Sequence, residues 1–261
     1  MFNDLSKPLN FKLIIYTISV LIIGMIIGYL ITFQLKQQEV NKGTICLIID
    51  DFGFSRNKIV DDFFHINKNL SVAIIPGTPF SKSIAEYTDS LGIETIIHMP
   101  MESNDNDNTK YPISLNEKLN ASIVNNRIEL AFNEIPTALG MSNHQGSKAT
   151  ANLQLMKNIA RKLKKMDKFF LDSFTNPESR GYITMRRYGV PTQLRQVFLD
   201  HIDDSIQIKH NLDSLVNLSH DMDIVIGIGH VKKITLDILK KEIPRLESEG
   251  YNFIPLSKAV R

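Results

Sequence analysis

Cysteine is almost missing from this chain: its 261 residues hold one, Cys46. A single thiol excludes an intrachain disulfide and any cysteine-rich zinc cage. Its place in the apolar run Thr44 to Ile49 predicts a buried, inert side chain. An excess of either charge is absent too. Thirty Lys and Arg against 28 Asp and Glu leave a formal +2, no basic stripe stands out, and nothing argues for nucleic acid as a partner. No internal repeat or low-complexity block is visible. What is present is an ordinary globular composition, 43% apolar and 22% charged. The length suits one short tail and one sizeable domain, because barrels of alternating strands and helices pass 200 residues without dividing.

One long uncharged run stands apart. Leu13 to Leu35 is 23 residues without a charge, with Lys7 and Lys12 before it and Lys36 after. At about 1.5 Å per residue it spans roughly 35 Å, enough for a hydrocarbon core. A cleaved signal has an apolar region of about 7–15 residues and a small-residue cleavage motif. Here Gln34, Gln37 and Gln38 close the run without such a motif. The expectation is a short cytoplasmic tail (1–12), a single transmembrane anchor (13–35), a linker (36–43) and an extracytoplasmic domain (44–261). The lysine bias that sets this orientation is slight.

Beyond the linker, short apolar runs alternate with amphipathic stretches, as in parallel strands joined by crossover helices. Strands are expected over Thr44–Asp50, Ser71–Ile75, Ile93–His98, Thr137–Ser142, Lys168–Asp172, Val190–Arg195 and Asp223–Ile228, with a last one near Asn252–Leu256. Seven or eight strands suggest a barrel. Ser114 with Glu117 forms a capping-box signature for a helix to about Phe132. Thr150 stands where it would cap another, to about Lys165, whose face of Leu153, Met156, Ile159, Ala160 and Leu163 belongs to the core. The polar stretch Glu102 to Lys110 reads as a solvated loop. Its Asp105-x-Asp107 lacks the Gly and Glu of a calcium loop.

Polar residues gather at the carboxyl-side strand ends: Asp50 and Asp51, His98, His144, Asp172 and His230. In a parallel barrel those ends share one face, where loops carry catalytic groups on a rigid frame. Each alone has an ordinary reading, a hydrogen-bonded histidine or a helix-capping aspartate; five together are a poor coincidence. His65, His201, His210 and His220 fall outside the pattern and read as surface residues. Two histidines and a carboxylate are a ligand set for catalytic zinc, which can lower the pKa of water from 15.7 to about 7. Of two adjacent carboxylates at an irregular strand end, one can bind metal while the other takes the proton of the water.

The stretches Ile48-Ile49-Asp50-Asp51-Phe52-Gly53, His98-Met99-Pro100-Met101-Glu102, Asn143-His144-Gln145-Gly146-Ser147, Phe170-Leu171-Asp172-Ser173, Val197-Phe198-Leu199-Asp200 and Ile228-Gly229-His230 together resemble the divergent polysaccharide deacetylases, relatives of the carbohydrate deacetylases with the NodB homology domain. The resemblance covers about Thr44 to Leu256. It implies a distorted (β/α)7 barrel with a divalent metal, usually zinc, at its mouth. It further implies Asp51, His98 and His144 as metal ligands, Asp50 as the base and His230 as the general acid. Asp172, holding His230 in one tautomer, and Arg195 become orienting groups, with Arg195 and Glu102 placed on the substrate side. The His-x3-His pair of the best-known deacetylases is absent, the second histidine standing at strand four as in the divergent family, and the last motif reads His230-Val231 where His-Pro is common. The reaction implied is removal of an N-acetyl or other acyl group from an amino-sugar polymer of the envelope, such as peptidoglycan. Two other readings stay open: an envelope protein that binds glycan or a partner without turnover, and a metallo-phosphoesterase, for which Lys148 and Arg195 are the basic candidates.

Overall fold

The computed structural model describes residues 11–37, 42–105 and 111–261. The chain divides into two compact units, Met1–Asn41 and Lys42–Arg261. Among its described residues the first holds helix α1 (Phe11–Gln37). The helix side chains from residue 15 to residue 30 are exposed. Among the described residues no helix is long and apolar enough to cross a membrane. Most of the expected tail and linker, and Asp107 of the polar loop, lie outside the described residues.

In the second unit strands and helices alternate: β1 (Gly43–Phe52), α2 (Lys58–Phe63), β2 (Ser71–Ile74), α3 (Ser81–Ser90), β3 (Glu94–Met101), α4 (Ala121–Glu134), β4 (Gly140–Gln145), α5 (Leu153–Met166), β5 (Phe169–Asp172), α6 (Gly181–Arg187), β6 (Thr192–Leu194), β7 (Val197–Phe198), α7 (Ser205–Leu218), β8 (Val225–His230), α8 (Lys233–Ser248), β9 (Tyr251–Phe253) and α9 (Leu256–Ala259). The sheet runs β6-β5-β4-β3-β2-β1-β8-β7, with β9 beside β1, and its pairings are parallel. Its end strands β6 and β7 are separated in sequence by Arg195 and Gln196 alone. The Arg195 amide donates to the Asp172 carbonyl on one side and the Gln196 amide to the Ile226 carbonyl on the other. The result is a parallel α/β half-barrel whose two edges meet through one stretch of chain.

Period-two alternation sorts the strand residues. Cys46, Ile48, Ala73, Ile96, Leu171, Ile226 and Ile228 fill the inner cluster together with Leu256 and Ala259 of α9. Ile45, Leu47, Ile49, Ile97, Met99, Met141 and Phe170 pack outward in the larger cluster that joins sheet to helices. Following the inner rows toward the carboxyl ends, Cys46 and Ile48 lead to Asp50, Ile96 to His98, Leu171 to Ser173, and Ile226 and Ile228 to His230. The apolar interior therefore ends in a polar mouth. Burial holds the Cys46 thiol in its neutral form, raising its pKa well above the ordinary value.

Among the described residues nine strands replace the expected seven or eight, because the two-residue β7 is too short to show periodicity. The helix expected from Ser114 begins later, at Ala121, where the Asn120 side chain accepts from the Ile123 amide. Ser114 is buried, and its neighbour Leu115 bridges to Met101. α5 is likewise capped by Asn152, which accepts from the Leu155 amide; Thr150 turns back to donate to the Gly146 carbonyl, 2.8 Å away. Leu153 is exposed, while Met156, Ile159, Ala160 and Leu163 are core.

Candidate metal centre and active site

The site begins at an irregularity. Asp50 keeps its register with His230 of β8, but the pairing of β1 with β2 shifts between Ile49 and Phe52. Asp51 takes φ 70°, a left-handed conformation that Asp tolerates better than most residues. A regular strand would turn these two carboxylates to opposite faces; here both line one cleft of about 320 Å³, with His98, His144 and His230.

Asp51 Oδ1 lies 2.9 Å from His144 Nδ1 and 3.3 Å from His98 Nε2. One ligand atom from each of these three residues falls within 4.8 Å of the others. His98 Nδ1 is 2.8 Å from Ser142 Oγ, which leaves Nε2 facing the carboxylates. His144 Nε2 sits 3.3 Å from the Tyr111 hydroxyl. Asp51 Oδ1 is buried with no hydrogen-bond partner, although two imidazole nitrogens are close. A divalent cation held between the three groups would satisfy that oxygen, so the donor set fits a metal. Burial by itself raises the Asp51 pKa, but the two imidazoles hold the carboxyl well below the usual range.

Asp50 differs from its neighbour. It is 1% exposed, its Oδ1 lacks a hydrogen-bond partner, and its Oδ2 is 3.4 Å from His98 Nε2. Burial raises its pKa to about 6 against the opposing pull of His98 and His230. Opposite, His230 Nδ1 lies 2.6 Å from Asp200 Oδ1. The other Asp200 oxygen accepts from the His230 amide at 2.8 Å and from Thr235 Oγ1 at 2.5 Å. Burial lowers the His230 pKa, yet the bond to Asp200 and the nearby carboxylates carry it up to about 9. The bonded His230 keeps Asp200 below the usual range although burial raises it.

Several expected roles change. Asp200, not Asp172, orients His230. Asp172 has the outward parity of β5, and its carboxylate accepts from Phe174 N (2.9 Å), Ser179 Oγ (2.7 Å) and Tyr182 N (2.9 Å), tying β5 to α6. Arg195 does not line the cleft. Its Nε donates to the Ser173 carbonyl at 2.6 Å and its Nη2 to the Phe174 carbonyl at 2.8 Å, and burial lowers its pKa to about 10. Glu102 is buried away from the cleft and pairs with Lys148 at 2.8 Å. His201, expected at the surface, is exposed but lines the cleft. Since Lys148 pairs with Glu102 and Glu117 and Arg195 with carbonyls, neither basic candidate is placed to bind phosphate; among the described residues no Lys or Arg lines the cleft.

The sequence model of the divergent polysaccharide deacetylase family matches residues 47–260. The uncharacterized protein YibQ of Escherichia coli (strain K12) is 30% identical over 170 residues, 64% of this chain and 52% of that protein; the chain thus spans about half the length of this relative. Among solved structures, the uncharacterized protein ATU2773 from Agrobacterium tumefaciens C58 superposes with a TM-score of 0.79 at 15% identity, over 85% of this chain and 91% of the other. The catalytic domain of a peptidoglycan N-acetylglucosamine deacetylase from Eubacterium rectale ATCC 33656 gives a TM-score of 0.50 at 14% identity, over 82% and 88%. At these identities the structural likeness shows the fold.

Proposed function

Because this chain belongs to the divergent polysaccharide deacetylase family, we propose that it is a metal-dependent hydrolase removing an N-acetyl or other acyl group from an amino-sugar polymer of the cell envelope. The observation that carries this reading is the pair of adjacent carboxylates in unlike surroundings: Asp51 Oδ1 lies between two imidazole nitrogens at 2.9 and 3.3 Å, while Asp50 is buried with its Oδ1 unpartnered. Such a split separates a ligand from a base.

Asp51, His98 and His144 would hold the divalent cation, and two imidazoles with one carboxylate favour zinc. When bound, the cation supplies Lewis acidity, polarising an acyl oxygen and making water more acidic. Asp50, close to neutrality in pKa, accepts the proton of the attacking water. His230, kept protonated by Asp200, returns a proton to the departing amine. Asp50 is buried and His230 partly so, which limits the access of bulk solvent to these transfers.

The uncharged run Leu13 to Leu35 supports a single-pass anchor, with the Lys42–Arg261 unit on the extracytoplasmic side, where envelope polymers or peptidoglycan are the partners. An apolar sequence on every side of a helix suits lipid better than water.

The hydrolase reading is tested by acetate release from acetylated amino-sugar polymers with zinc-loaded protein. Asp50→Asn should lower the rate by on the order of 10²–10⁴ while metal content stays unchanged. Wild-type rates in that variant would sink the scheme.

A further inference from the structure

Of the cleft's polar side chains that neither the metal set nor the proton transfers employ, Ser173 and Gln145 carry buried atoms without a hydrogen-bond partner. Ser173 is 1% exposed, and its Oγ has no hydrogen-bond partner. Gln145 Oε1 is buried and likewise unpartnered. Both line the cleft beside Asp50, Asp51 and the histidines. Buried polar groups left unpaired are uncommon and call for a reason.

The backbone around them is fixed with unusual care. The Ser173 amide donates to Asn143 Oδ1 at 2.9 Å, and its carbonyl accepts from Arg195 Nε. The next residue, Phe174, is held at φ 49° with its amide on Asp172 Oδ1 and its carbonyl on Arg195 Nη2. Asn143 Nδ2 also donates to the Gln145 carbonyl at 2.7 Å, as does Thr175 Oγ1 at 2.9 Å, and Gln145 itself sits at φ 57°. Side chains therefore satisfy the backbone of this hook, the strand-end turns at Gln145 and Ser173–Phe174, hold two residues in a strained conformation, and leave Ser173 Oγ and Gln145 Oε1 buried beside the cleft without a partner. Strain maintained in this way is a mark of pre-organisation.

We propose that Ser173 and Gln145 form the substrate-binding subsite, recognising the neutral polar substituents of an acylamido sugar, its ring hydroxyls and its amide. A hydroxyl both donates and accepts, and a primary amide does the same through its two ends, which matches hydroxyl and acylamido groups. With no Lys or Arg on the lining among the described residues and two carboxylates present, a neutral ligand fits better than an anion. Phe198 adds an apolar wall, its ring stacked on His230 at 5.9 Å. Arg195, Asn143 and Asp172 become positioning residues for the hook. The assignment rests on the deacetylase reading of the same cleft.

The test uses the full zinc-loaded chain with an N-acetylglucosamine tetramer as the probe, measuring acetate release, calorimetric binding, zinc content and melting temperature. Ser173→Ala and the near-isosteric Gln145→Met should each raise KM roughly tenfold, the loss of one hydrogen bond to a buried polar group, with kcat, zinc and melting little changed. Wild-type KM in both variants, alongside active wild-type protein, overturns the subsite and leaves the hydrolase standing. Should the wild type release no acetate but bind the tetramer, with both variants binding roughly tenfold more weakly, the subsite stands and the hydrolase falls. Neither release nor binding by the wild type overturns both.

Discussion

Among the described residues four non-glycine positions have positive φ, and three of them, Asp51, Gln145 and Phe174, stand at the carboxyl ends of β1, β4 and β5 around the cleft. Strain of this kind persists only where surrounding bonds over-determine it. The groups behind the functional side chains should therefore matter as much as the side chains themselves. Ser142 fixes the His98 ring through Nδ1, so Ser142→Ala should weaken metal affinity about 10–100-fold, read by competition with a chelator; an unchanged affinity would mean that the ring is held by packing alone. The His230–Asp200 pair gives a pH signature. With its pKa raised from 6.5 to about 9 in the fold, protonated His230 adds stability that is complete below pH 6.5 and lost as pH rises through about 9. Asp200, depressed in the fold, adds stability above the ordinary carboxylate range that is lost on acidification. In metal-free protein, Asp200→Asn should move the His230 titration, followed by imidazole NMR, down toward 6.5. A midpoint that stays near 9 would assign the shift to Asp50 and Asp51 instead.

At the level of strands, parity decides which residue of each motif meets the cleft. Asp50, Asp51 and His230 are legible because apolar runs stop there, whereas His98 interrupts a run that continues through Met99 to Met101 within β3 and His144 lies inside β4 after Ser142 and Asn143. The partner of His230 is less legible. Asp172 and Asp200 both follow apolar pairs, but alternation from Leu171 puts Ser173, not Asp172, on the inner side, and alternation from Phe198 brings Asp200 inward. β7 holds two residues, too few to reveal that phase. The helix starts shift as well: Ser114 is buried without capping a helix, Thr150 donates to the nearby Gly146 carbonyl, and Asn120 and Asn152 take the caps. The turn after β1 is similarly tight. Gly53 sits at φ 123°, and a Cβ there would lie 2.1 Å from Thr78 Oγ1 and 3.1 Å from the Ile75 carbonyl. Gly53→Ala should cost about 1–3 kcal/mol through strain at that φ, seen as a lower melting temperature together with weaker metal binding. Wild-type melting would show that the turn can open without disturbing Asp51.

For the whole molecule, the division into Met1–Asn41 and Lys42–Arg261 separates an apolar helix from the half-barrel. The sequence run alone carries the anchor reading, since hydropathy needs no tertiary contact to be seen, whereas the meeting of the sheet edges through Arg195 and Gln196 is a property of the assembled fold. Protein comprising residues 1–261 should sediment with membranes and require detergent for extraction, while a chain beginning at Lys42 should stay in the supernatant. The 261-residue chain staying soluble without detergent would remove the anchor. The central claim, that residues from three strand ends assemble one metal site, is tested most directly by metal analysis of purified protein after equilibration with zinc. One ion per chain is expected, falling to none in both Asp51→Ala and His144→Ala with the fold intact by circular dichroism. An undiminished ion in either folded variant would contradict it.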